Sequence, residues 1–102
     1  VRSTTPNDVH AIADAVILDV REPHELVQAR IEGTIDIPLG ELVERVAEVP
    51  GDTTVFVLCH AGGRSAQAAQ YLEAQGIDAV NIDGGIIAWY RAGLPVTLGG
   101  AS

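Results

Sequence analysis

The sequence predicts an α/β fold: a central, mostly parallel β-sheet with helices on both faces. Two observations predict it. Short apolar runs rich in β-branched residues alternate with segments of helical spacing along the whole chain. The strongest run, Thr54-Val55-Phe56-Val57-Leu58, is almost continuously apolar, as suits a central parallel strand buried on both faces. Together they point to a sheet sandwiched between helices rather than to a sheet with one wet face.

The elements follow in order. Thr5-Pro6 with Asn7 and Asp8 reads as an N-cap, a proline at the first helical position and an acidic first turn, opening a short helix that runs to about Ala13. Ala15-Val16-Ile17-Leu18 is a buried strand that stops at Asp19-Val20-Arg21-Glu22. Pro23 restarts a helix through Glu25, Leu26 and Val27, and a turn at Gly33 leads to a second strand, Thr34-Ile35-Asp36-Ile37, closed by Pro38. Leu39, Leu42, Val43 and Val46 fall at i, i+3, i+4 and i+7, which places four apolar side chains on one helical face.

After the strand at 54–58, a helix over 65–75 carries Ala68, Ala69 and Leu72 on one face, with Gly76 as its stop. Ala79-Val80-Asn81-Ile82 is the next strand, and Asp83-Gly84-Gly85 opens a last helix through Trp89, closed by Gly93 and Pro95. Trp89, at helical spacing from Ile86, is expected to pack in the core or against a partner surface rather than to stack on a ligand. The tail over 97–102 is small and polar and is expected to fray.

At 102 residues the chain has the size of one domain, read as spanning 1–102 with its core at about 15–95, and 47% of its residues are hydrophobic, enough for a packed interior. No apolar run approaches the roughly 20 residues that a membrane-crossing helix needs, so no membrane partner is expected. The single cysteine fits a reducing compartment, which makes the cytoplasm the expected location. The net charge is -8, and the basic side chains are all arginines that form no stripe, which speaks against nucleic acid as a ligand.

The chemistry concentrates in Cys59-His60-Ala61-Gly62-Gly63-Arg64-Ser65, which follows the central strand at its carboxyl end, where α/β sheets hold their ligands. The two glycines allow positive φ, so that successive N–H groups can face one centre, and the following helix adds its positive end. These dipoles and Arg64 favour the thiolate of Cys59 over its neutral form, which makes it a nucleophile. The spacing is Cys-x4-Arg, one residue shorter than the Cys-x5-Arg of cysteine phosphatases. A shorter loop is a smaller cradle, suited to a single sulfur rather than a tetrahedral phosphate. A phosphatase or arsenate reductase is therefore disfavoured.

From about Ala15 to Pro95 the sequence resembles the rhodanese homology domain. Leu18-Asp19-Val20-Arg21-Glu22-Pro23 with Glu25 is similar to the family's first signature, Gly33-Thr34-Ile35-Asp36-Ile37-Pro38 to the second, and Asp83-Gly84-Gly85 with Ala88-Trp89 to the last. The residues 59–65 resemble its active-site loop. The resemblance implies a rhodanese-like fold and a thiosulfate sulfurtransferase. Cys59 would take the outer sulfur of a small anionic donor such as thiosulfate as a persulfide and pass it to cyanide, a thiol or a protein. It implies no metal and no organic cofactor. Arg30 stands where many relatives have a histidine.

Within this reading His60, Ala61, Gly62, Gly63, Arg64 and Ser65 form the persulfide-binding loop, with His60 lining the entrance rather than moving protons. Asp19 and Arg21 are an expected ion pair that supports the site, Glu22 a helix N-terminal charge, and Glu25 a partner for a nearby arginine. His10 and His24 are expected at the surface, without metal-ligand spacing. Two alternatives keep the same fold: a relay between protein persulfides, motivated by the acidic charge, and an interaction module without catalysis.

Overall fold

The fold is taken from a computed structural model, which describes residues 1–99. Five parallel strands form the sheet, in the order β1-β6-β5-β2-β4, with β1 at Arg2–Thr4, β2 at Val16–Asp19, β4 at Ile35–Asp36, β5 at Val55–Leu58 and β6 at Ala79–Ile82. The strongest strand of the sequence, β5, lies in the middle: Val55 and Leu58 pair with Val16 and Asp19 of β2 on one side, and Val55 and Val57 with Ala79 and Asn81 of β6 on the other. Its four residues are all buried.

Alternation along β5 divides the core in two. Val55, Val57 and Cys59 join Leu18, Leu42, Ala68, Ala69 and Leu72 on one face, under α3 (Leu42–Arg45) and α4 (Gly63–Ala74). Phe56 and Leu58 join Val9, Ile17, Val80, Ile86 and Trp89 on the other, under α1 (Pro6–His10) and α5 (Gly85–Arg91). Both faces are thus covered by helices, as the sequence predicts, and Trp89 is a core residue. The small side chains Ala68 and Ala69, fully buried, let α4 lie close to the sheet.

The cap of α1 is as expected, with the Asp8 N–H donating to the Thr5 hydroxyl at 3.2 Å, although the helix ends at His10 rather than near Ala13. The amphipathic helix expected around residues 39–46 is different. Two 3₁₀ turns flank only four residues of α-helix, which rotates Val43 out to 66% exposure while Leu42 stays buried.

Three strands have no counterpart among the predicted elements. β1 extends the edge of the sheet beside β6. β3 (Ala29–Arg30), which directly follows α2 (Pro23–Gln28), pairs antiparallel with β7 (Thr97–Leu98), and the Gly99 N–H donates to the Gln28 carbonyl at 2.7 Å. Thr97 and Leu98, expected to fray, are therefore held by backbone pairing, while residues 100–102 of the expected tail lie outside the described residues. No helix among the described residues is long and apolar enough to cross a membrane.

Candidate active site

Three parallel strands end on the same side of the sheet: β5 at Cys59, β2 at Asp19 and Val20, and β6 at Asp83. Cys59 is only 1% exposed. Its Sγ accepts hydrogen bonds from the Gly62 N–H at 3.0 Å and the Ser65 hydroxyl at 3.3 Å. Gly62 has φ +112°, a conformation that glycine adopts without strain, and this turns its N–H back onto the sulfur as α4 begins. Gly63 needs no such freedom. It is already helical, so one of the two glycines makes the turn and the helix starts a residue or two earlier than expected.

Burial opposes ionisation of Cys59. The Ser65 hydroxyl and the backbone amides of Ser65, Gly62 and Ala61 outweigh it and hold the thiol below its ordinary value. Ser65 is fully buried, and its hydroxyl also lies 3.2 Å from the Gly62 carbonyl and against the side-chain amide oxygen of Asn81, on β6. Asn81 is not among the residues singled out from the sequence. A lone polar residue in an apolar strand carries no local sign of which loop it faces.

The second glycine pair clasps the loop from below. Gly84 and Gly85 have φ +75° and +58°, and a Cβ on Gly85 would lie 2.4 Å from the carbonyl oxygens of both Cys59 and His60. Only glycine lets the start of α5 approach so closely. The Ile86 and Ile87 N–H groups then donate to those same carbonyls, at 2.9 and 3.3 Å. The backbone of Cys59 is fixed by one helix and its sulfur solvated by another.

Arg64 differs from expectation. Its two terminal nitrogens donate to Glu25 on α2, at 2.7 and 2.8 Å, so its hydrogen bonds go to a carboxylate rather than to the sulfur. That pairing is the main reason the Glu25 carboxyl is held down to about 2. Glu25 also accepts from the Glu22 N–H at 2.9 Å, closing a capping box at the start of α2.

Asp19 and Arg21, both buried, form a bidentate pair: Arg21 Nε and Nη2 donate to the carboxylate at 2.9–3.1 Å, and the Arg21 N–H donates to it at 3.0 Å. The guanidinium also donates to the Ala29 carbonyl at 2.8 Å, which ties the end of β2 to the end of α2. Burial pushes the Asp19 carboxyl up, against the pull of Arg21. Neither side chain hydrogen-bonds to Cys59.

His60 is exposed and lines a cleft of about 220 Å³ with Arg21, Glu25, Gln28, Ala29, Arg64 and Ile86. A larger cleft of about 560 Å³, between α1, α5 and Val96, includes none of the residues 59–65. Among the described residues no group of three His, Cys, Asp or Glu side chains converges to hold a metal. His10 and His24 are exposed, His10 with its ring edge against Trp89, and Arg30 pairs with Glu32 at the surface.

Residues 5–92 match the rhodanese-like domain family. The chain belongs to that family. It is homologous to sulfurtransferases: one from Allochromatium vinosum is 42% identical over 84 residues, covering 81% of this chain and 78% of the relative. A rhodanese-related protein from Thermoplasma volcanium superimposes with a TM-score of 0.91 at 38% identity, over 96% of this chain and 99% of that one. The thiosulfate sulfurtransferase of Pseudomonas aeruginosa superimposes at 0.84 with 36% identity, over 98% of this chain but 21% of that longer protein. The rhodanese-like fold is therefore shown across nearly the whole chain.

Proposed function

We propose that this rhodanese-like chain is a sulfurtransferase that carries a sulfane sulfur as a persulfide on Cys59, with thiosulfate as donor. The observation that carries the reading is the lone thiol at the end of β5, solvated by the Gly62 amide and the Ser65 hydroxyl. An anionic sulfur is stabilised there whether it is a thiolate or the terminal atom of a persulfide.

Two displacements suffice. The Cys59 thiolate attacks the outer sulfur of thiosulfate, the S–S bond of the donor breaks, and sulfite leaves with the bonding pair. A cyanide ion or a thiolate, free or on a protein, then attacks the terminal sulfur, and the Cys59 thiolate leaves with its pair. Charge balances at each step, and no oxidant, metal or cofactor is called for. Asp19 and Arg21 support the site, while His60 and the rest of the loop border the sulfur's entrance.

A second reading rests on the pairing of the cations. Arg64 is held by Glu25 and Arg21 by Asp19, and the chain carries a net charge of -8. A small dianion meets less attraction at such an entrance than a donor or acceptor protein with its own docking contacts. One experiment serves both. Incubation with thiosulfate is expected to add one sulfur by intact mass, removed by cyanide and absent in Cys59→Ser. An unmodified protein overturns thiosulfate as donor, and loading by a persulfidated protein alone selects the relay.

A further inference from the structure

The Ser65 hydroxyl has one proton and three neighbours that can accept it: Cys59 Sγ at 3.3 Å, the Gly62 carbonyl at 3.2 Å and the side-chain amide of Asn81. Asn81 is 6% exposed and projects from β6, the strand beside the one that carries the cysteine. Where that single proton goes decides whether Ser65 offers the sulfur a donor or a lone pair. The Gly62 carbonyl can only accept, whereas the amide of Asn81 can exchange accepting for donating at any state of the sulfur, by a half-turn about its Cβ–Cγ bond.

With the amide oxygen toward Ser65, Asn81 competes with the sulfur for the one proton, and whenever Asn81 takes it the serine oxygen faces the sulfur with a lone pair. That suits a neutral thiol, which can donate its own proton to Ser65. With Nδ2 toward Ser65, the amide donates, the serine lone pair is occupied, and the hydroxyl proton is left for the sulfur. That suits an anion, and a hydrogen bond to a charged sulfur is the stronger of the two.

We propose that Asn81 is a positioning residue that acts on Cys59 through Ser65, its amide donating to the serine oxygen when the sulfur is anionic and so committing the hydroxyl proton to Sγ. This rests on Cys59 being the nucleophile of the proposed reaction. The same relay serves thiolate and persulfide. A carboxylate at this position can only accept, and an aliphatic side chain can do neither.

The test reads the thiolate and not sulfur transfer, so a failure of the relay is distinct from a failure of the sulfurtransferase reading. The rate of Cys59 alkylation by iodoacetamide is followed against pH in the full chain, in Asn81→Ala and Asn81→Asp, and in each again with Ser65→Ala. Other groups at this end of the sheet that titrate or carry charge are the Asp19–Arg21 pair at the end of β2, Asp36 at the end of β4, Glu22, His24 and Glu25 at the start of α2, His60 in the loop, Arg64 on α4 and Asp83 after β6. All are unchanged across the set.

Asn81→Ala is expected to raise the midpoint by about half a pH unit, roughly a threefold loss of thiolate below it, while the plateau rate at high pH stays the same. In the Ser65→Ala background the same substitution is expected to move nothing. Asn81→Asp, nearly isosteric and so a safeguard if the alanine variant folds poorly, is expected to raise the midpoint more with Ser65 present than without it. A midpoint that falls or stays put in Asn81→Ala, or equal shifts with and without Ser65, overturns the relay.

Discussion

Two loops leave the same end of the sheet, one strand apart, and they treat buried polar groups in opposite ways. After β2, Asp19 and Arg21 spend their hydrogen bonds on each other and on backbone carbonyls, so nothing there is left to meet a substrate. After β5, the Gly62 amide and the Ser65 hydroxyl both point at a sulfur that can give its electron pair away. The first loop is closed on itself, and the second, on the proposed function, is arranged around a charge still to come. Buried polarity alone does not mark a reactive site; what matters is whether its donors have already found permanent partners.

The sharpest way to break this contrast is at the sulfur. Cys59→Ser is expected to abolish persulfide formation outright, read by intact mass after donor treatment, with the urea unfolding midpoint little changed. Arg21→Leu tests the closed loop instead. It leaves the Asp19 carboxylate buried without its partner, and the expected loss is about 3–5 kcal/mol in urea unfolding. If unfolding were unaffected while sulfur transfer collapsed, Arg21 would belong to the reactive loop and the contrast would fail.

Gly85→Ala is expected to cost about 2–4 kcal/mol, since it combines a positive φ with a Cβ forced against two carbonyl oxygens. Its alkylation rate should fall as well, because those carbonyls belong to Cys59 and His60. Smaller effects are expected from Glu25→Gln, which loosens Arg64. The KM for thiosulfate should drop about two- to fivefold, with a steeper dependence on salt, as a partly released cation attracts an anionic donor.

Acid sharpens the same pair. Glu25 ionises near 2 when folded and at its ordinary 4.5 when unfolded, so its contribution is complete above about 4.5 and is lost as pH falls toward 2. The stability difference between the parent and Glu25→Gln, measured by thermal unfolding, should therefore be constant near neutrality and shrink between those limits. A difference that grew with acid would show that Arg64 does not hold Glu25 down.

The central strands were legible because each is a compact apolar run, and burial on both faces leaves that trace in sequence. Helices α4 and α5 were legible from their spacing and their glycine stops. β1, β3 and β7 span only two or three residues each, too short for any periodicity, and they exist because a neighbour offers a free edge. Val43 was misplaced for a related reason: i, i+4 spacing assumes an unbroken α-helix, and the 3₁₀ turns on either side of α3 reset the rotation.

In the site, Cys59, Gly62 and Ser65 stand in one contiguous loop that the sequence singles out, while which glycine turns and how deeply Ser65 is buried depend on how α4 docks. The engagement of Arg64 could be read only by half. Glu25 was expected to meet an arginine, but its partner lies 39 positions along the chain and is brought near by the pairing of β2 with β5. Asn81 could not be found at all from the sequence, since its meaning depends on the serine it faces across a strand boundary.

The clasp at Gly85 also sets an order of events in the making of the protein. Ile86 and Ile87 hold the carbonyls of Cys59 and His60 from more than 20 positions downstream. A chain still emerging from the ribosome thus carries its thiol in an unbraced loop until the last helix has been synthesised and docked. On the proposed function, reactivity would be among the last properties the molecule acquires, and an unfinished chain would be spared a fully activated sulfur.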